Sequence, residues 1–195
     1  MSAPQVGAST TYCCLRAPAE PPVDGTLDGP VWRAAERSPR FGDMVNGAPG
    51  LYDTRAALLW DDEALYVAFW VEEPFVRAEA NARDDLVFLE NDIEVLIDGG
   101  DCYYEFELNA AGVIYEVFFI WQGFGVLAGE RSIPPREGDV WRIFLGRFQK
   151  LVLSGVEVQP HPAWTWTPHG TYDTHLPERW LEVCFSDVMV EIPRS

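Results

Sequence analysis

Glu105 and Glu107 are the pair of residues in this chain whose types and spacing most directly invite chemistry. On an extended strand they project from one face about 7 Å apart, from a rise of roughly 3.3 Å per residue. Paired carboxylates serve as acid and base in glycoside hydrolysis, but they then flank a cleft. Two glutamates on one strand read first as the wet face of a sheet, so no residue is assigned a catalytic role. A second acidic group, Asp84, Asp85, Glu90, Asn91, Asp92 and Glu94, gathers hard oxygen donors of the kind calcium prefers. It lacks EF-hand spacing, and Asp84, Asp85 and Asp92 are its candidate ligands, with calcium as the possible cofactor. His161, His169 and His175 fit no zinc spacing. Pro160, Pro162, Pro168 and Pro177 place them in a constrained loop region. Eight tryptophans are the other conspicuous feature, because indole and phenol rings pack well on the C–H faces of sugars. Trp164, Trp166, Tyr172 and Trp180 lie close together; Trp166 and Trp180 read as core anchors and Tyr172 as the exposed contact.

The elements that position these residues read as strands. Segments rich in Val, Ile, Tyr, Phe and Trp recur at 10–15, 54–60, 65–72, 92–97, 103–108, 113–121, 140–148, 151–158 and 179–185. WDDEA at 60–64, IDGGD at 97–101 and NAAG at 109–112 supply turns between them. No long segment carries a 3.6-residue period. Only 31–37 reads as a short helix, with Pro30 suited to its first turn and Pro39 stopping it. The expectation is one all-β domain over 1–195, an antiparallel β-sandwich of jelly-roll type. Residues 65–71 are apolar on both faces and read as a central strand. Residues 103–108 alternate, with Tyr103, Glu105 and Glu107 on the expected wet side.

Composition narrows the partners. The chain has 195 residues, 48% of them hydrophobic, enough for a real core. Fourteen basic against 31 acidic residues give a net charge of −17, which repels nucleic acid and anionic membranes. No apolar run reaches the roughly 20 residues of a membrane span, and the N-terminus lacks a signal-peptide pattern, so the expected location is cytoplasmic. Cys13, Cys14, Cys102 and Cys184 include no CxxC pair and read as buried free thiols in strands.

Three passages carry a resemblance: PPVDGTLDGPVWRAAE at 21–36, the stretch from Asp53 to Ala110, and WTWTPHGTYDTHLPERWLEVCFSD at 164–187. Together they resemble the family 9 carbohydrate-binding modules, and more closely the stand-alone family 9-like proteins. The resemblance implies a β-sandwich that binds sugar in a slot between aromatic rings, with calcium stabilising the fold. It implies no catalysis and a link to carbohydrate catabolism. By alignment one clamp ring falls near Phe88 and the other near Tyr172, Glu94 matches a ligand contact, and Glu107 stands where the family has a sugar-binding arginine. With Trp164 and His175 these residues are the candidate ligand contacts, and a neutral carbohydrate is the expected partner. The sequence between 122 and 137 is shorter than the family pattern, which implies missing strands, an exposed sheet edge and pairing with a second copy. Two other functions stay open: an interaction sandwich with a decayed sugar site, and an enzyme using Glu105 and Glu107.

Overall fold

The computed structural model describes residues 11–120 and 134–193. In chain order its elements are β1 (Thr11–Arg16), α1 (Pro30–Ala34), β2 (Gly42–Asp43), β3 (Thr54–Trp60), β4 (Leu65–Val71), β5 (Asp92–Asp98) and β6 (Cys102–Asn109). These are followed by β7 (Ile114–Ile120), β8 (Val140–Phe148), β9 (Val152–Leu153), β10 (Val156–Glu157), β11 (Ala163–Thr165) and β12 (Leu181–Met189). The fold is all-β. Ten strands form one sheet in the order β4-β3-β1-β12-β8-β5-β6-β7, with β11 joining β8 to β2, and β9–β10 form a small separate hairpin.

The pairing is mixed where a purely antiparallel arrangement was expected, because β1 runs parallel to both β12 and β3. Parallel neighbours need long connections rather than hairpins. Here β1 reaches β3 through α1 and β2, and meets β12 from the far end of the chain.

The sheet curls until its two halves face each other. Ala56, Leu58 and Trp60 of β3 and Val67 and Phe69 of β4 pack in one core with Val95 of β5, Ile143 and Leu145 of β8, and Leu181, Val183 and Phe185 of β12. At roughly 25 cal/mol per Å² of buried apolar surface, this shared interior is the main stabilising feature. Each half also has an outer face. That of β3–β4 carries Ala57, Leu59, Tyr66 and Ala68, and is sealed by Val31 and Trp32 of α1 with Ala35. This cover explains why β4 is apolar on both faces although it ends the sheet rather than lying at its centre. The helix is shorter than 31–37 and stops where Ala35 turns to extended backbone.

The other outer face, on β8, β5 and β6, packs Leu96, Tyr103 and Phe144 against Ala163 of β11 and against Met44 and Trp180 from the covering loops. That cover overturns the expected wet side of β6. Tyr103, Glu105 and Glu107 are buried, whereas Tyr104, Phe106 and Leu108 on the opposite face are half-buried. Leu108 opens onto a gap of about 320 Å³ between the two halves, shared with Phe69, Val71 and Ile93.

Only Cys14 is a buried thiol. Cys13 is exposed, and Cys102 and Cys184 are intermediate. The segment 151–158 is a hairpin rather than one strand, turning at Ser154 and Gly155, both with positive φ. The strand expected at 179–185 starts at Leu181 and runs on to Met189. The missing strands expected between 122 and 137 fall largely on residues outside those described. Among the described residues no helix is long and apolar enough to cross a membrane.

Candidate functional site

Strand register builds the floor of the site. Glu94 of β5 lies opposite Glu107 of β6, and Glu107 lies opposite Tyr115 of β7. Alternation places Glu105 beside Glu107 and Phe119 beyond Tyr115 on the same face. On the other side of Glu94 stands Gly146 of β8. A Cβ at Gly146 would come within 2.4 Å of the Phe144 ring, so this glycine leaves that ring its place on the floor's face beside Glu94.

Loops raise the walls. The cavity, about 470 Å³, is lined by Glu94, Glu105, Glu107, Tyr115 and Phe119 from the floor, by Phe88, and by Phe148, Gln149 and Lys150 after β8. Met44, His161 and the segment Tyr172, Asp173, Thr174 and His175 complete it. This volume suits a small ligand. Phe88 and Tyr172 keep about two-fifths of their surface exposed, 39% and 42%. The Phe88 ring meets Tyr115 edge-on at 5.5 Å, and Tyr172 meets Phe148 edge-on at 6.5 Å. The Tyr172 hydroxyl donates to the His161 carbonyl, which fixes the ring while leaving part of it exposed.

The carboxyls are the unusual feature. Glu94, Glu105 and Glu107 are 6%, 6% and 2% exposed, and in each the Oε2 atom has no hydrogen-bond partner. Burial, then Asp92 and Glu105, hold the Glu94 carboxyl well above the usual carboxylate range. Burial, followed by the charge of Glu94 and a contact with Glu105, pushes Glu107 up to about 10, although the Phe88 N–H donates to it. Glu105 and Glu107 meet through their side chains. They therefore act as one unit on one wall, unlike an acid and a base facing each other across a scissile bond. His175 joins them: its Nδ1 lies 2.7 Å from the Tyr103 hydroxyl and 4.0 Å from Glu105 Oε2.

The residues singled out in the sequence divide accordingly. Phe88, Glu94, Glu107, Tyr172 and His175 share the cavity. Trp164 does not. It is 4% exposed, packs in the main core and lies under the Arg147 guanidinium at 4.8 Å. Its position on β11, paired with both β8 and β2, turns it inward. The calcium candidates do not converge. Asp85 accepts from the N–H groups of Asn81 and Ala82, Asp84 is exposed, and Asp92 is buried beside Glu107 and Lys150. Among the described residues no group of His, Cys, Asp and Glu has metal-site geometry. His169 is fully buried against Phe144, with Nδ1 facing the Asp173 carbonyl at 3.1 Å.

Tyr115, Phe119, Phe148, Lys150 and His161 were not anticipated. Period-2 alternation from Glu107 through its partner strand would have reached Tyr115 and Phe119. Lys150 and His161 carry no such signal, because loop closure alone brings them here.

No protein-family model matches the chain, and no curated protein is similar to it in sequence. A solved structure from Bacteroides uniformis, described as a "putative carbohydrate-binding protein", superposes with a TM-score of 0.66 at 17% identity. The match covers 92% of this chain and 100% of that one, and at this identity it shows a shared fold.

Proposed function

We propose that this chain is a non-catalytic carbohydrate-binding domain of the family 9-like type, holding a mono- or oligosaccharide without acidic groups in the cavity of about 470 Å³. One observation carries the reading. Residues far apart in sequence bring two partly exposed rings, Phe88 and Tyr172, to the same cavity as three buried carboxyls with unpartnered oxygens. Sugars present both complements, C–H faces for rings and hydroxyls for carboxyl oxygens. The carbohydrate-binding description of the fold relative agrees with this reading, and the sequence resemblance supplies the family. The cavity gathers carboxyls more than cations, so uronic acids and sugar phosphates would lose hydration there with little matching charge, which disfavours them.

Calorimetric titration of xylo-, cello- and galacturono-oligosaccharides tests it. Neutral oligomers bind, acidic ones do not, and Phe88→Ala or Tyr172→Ala weakens binding roughly tenfold or more. A millimolar ligand has only about 4 kcal/mol in total, so either loss brings it near the limit of detection. Preference for galacturonates, or neutral binding unaltered in both variants, refutes the site.

A further inference from the structure

Three buried glutamates line one cavity, and among the described residues the one ion-pair partner within 4.0 Å of them is the His175 imidazole, facing Glu105. Lys150 lines the cavity, but its charge acts on Asp92 and is balanced by Glu157 and Asp92. His161 lies 3.1 Å from Glu157, and burial with the nearby Lys150 holds its imidazole below the usual range. His175 Nδ1 faces the Tyr103 hydroxyl, which donates when that nitrogen carries no proton. Asp173 and Asp92 add further acid to the same neighbourhood.

We propose that, among sugars, the cavity selects those bearing a protonated amine, whose ammonium sits on Glu94, Glu105 and Glu107. This rests on the carbohydrate reading of the same cavity and narrows it. An ammonium offers three donors and one positive charge. The three glutamates offer three unpartnered Oε2 atoms, each on a residue more than nine-tenths buried. Register sets them together, with Glu94 directly across from Glu107 and Glu105 two residues along the same strand. Like charges placed opposite on neighbouring strands destabilise a sheet unless something neutralises them. Protons do so in the free protein, consistent with the raised carboxyls of Glu94 and Glu107. A bound ammonium replaces those protons, so binding releases them. Phe88 and Tyr172 then take the ring of the sugar, which an amine on another scaffold lacks. N-acetylation removes the charge and with it the advantage.

Calorimetry at pH 6 with β-1,4-linked glucosamine oligomers, their N-acetylated counterparts and cello-oligosaccharides tests the proposal. The amine-bearing oligomers bind at least tenfold tighter than either neutral series. Their apparent enthalpy changes with the ionisation heat of the buffer, reporting proton release. Glu94→Gln brings the affinity for the amine-bearing oligomers down to that for the neutral series, and Phe88→Ala weakens both series alike. Should Glu94→Gln fail to fold, Glu107→Gln replaces it, and proton release by the unaltered protein needs no variant. Equal affinity for amine-bearing and neutral oligomers overturns the proposal and leaves the carbohydrate reading standing. Absence of binding to every sugar overturns both. Spermidine binding as tightly as the amino sugar overturns it in favour of a general cation site. Calcium binding that is lost in Glu94→Gln overturns it in favour of a metal site.

Discussion

The two outer faces of the curled sheet are built from strands of similar composition and end in opposite ways. On β3–β4 the outward side chains are apolar, and α1 lays Val31 and Trp32 on them, closing the face. On β5–β6 the outward side chains include Asp92, Glu94, Glu105 and Glu107, and the loops that cover them stand off enough to leave a cavity. Apolar atoms close against one another because contact removes them from water. Carboxyls do not, since burying them without partners costs several kcal/mol each. The difference separates their roles in stability: the first face contributes to it, and the second gives up some of it to keep buried carboxyls beside a cavity.

The largest expected effect belongs to the sealed face. Trp32 is 2% exposed, its indole N–H donates to the Pro22 carbonyl, and its ring meets Trp70 edge-on at 6.5 Å. Trp32→Ala should cost about 3–5 kcal/mol of stability. Denaturant melts measure the loss, and calorimetry on the folded fraction should find sugar affinity unchanged. Equal losses of both would show that the two faces are coupled.

Next is the opposing face, where removing a polar group should help. The folded carboxyl of Glu107 lies at about 10 against an ordinary 4.5, so the folded state holds a proton that the unfolded chain has released. Stability from this group is complete below about pH 4.5 and is lost as pH rises toward about 10, the reverse of a salt-bridged carboxylate. Stability should therefore fall steadily between pH 5 and pH 8. Glu107→Gln should flatten the dependence and raise the melting temperature at pH 8. A melt independent of pH in the unaltered protein would show the carboxyls to be ionised and solvated.

Smaller again is the effect of the rings. Tyr172→Ala and Phe88→Ala should each lower sugar affinity by about 1–2 kcal/mol while changing stability by less than about 1 kcal/mol, since both are partly exposed. A pattern like that of Trp32→Ala would move them from the site to the core.

The legibility of the two faces differs for the same reason. Strands β3 to β8 could be read from their β-branched and aromatic runs, and β8 falls on the expected 140–148. The three-residue β11 and two-residue β2 are too short to show a period, and the parallel pairing of β1 depends on partners distant in the chain. At the site, alignment to a family pattern singled out Phe88, Glu94, Glu107 and Tyr172, which a period alone could not have gathered. Trp164 was misplaced because nearness to Tyr172 in sequence says nothing about which way a strand residue faces. The buried state of Glu105 and Glu107 was also unreadable: alternation marks a polar side, and only the covering loops decide whether that side is wet.

The smallest expected effect concerns metal. Asp84, Asp85 and Asp92 provide oxygen atoms close in sequence, yet the chain disperses them. Asp85 is occupied by the N–H groups of Asn81 and Ala82, which hold its carboxyl below the usual range and stabilise the loop without a cation. Glu90, beside them, is likewise taken by the N–H groups of Glu79 and Ala80 and the Asn109 amide. Calcium needs six to eight oxygens at 2.3–2.6 Å, and recruiting these carboxylates would break the backbone hydrogen bonds they now accept, each worth roughly 1 kcal/mol or more. Adding a chelator should therefore leave the melting temperature unchanged, and elemental analysis of the purified protein should find no stoichiometric calcium. A chelator-induced fall in the melt that calcium reverses would contradict this. Combined with Asp85→Asn and Glu94→Gln, the same measurement would say which face of the molecule holds the ion.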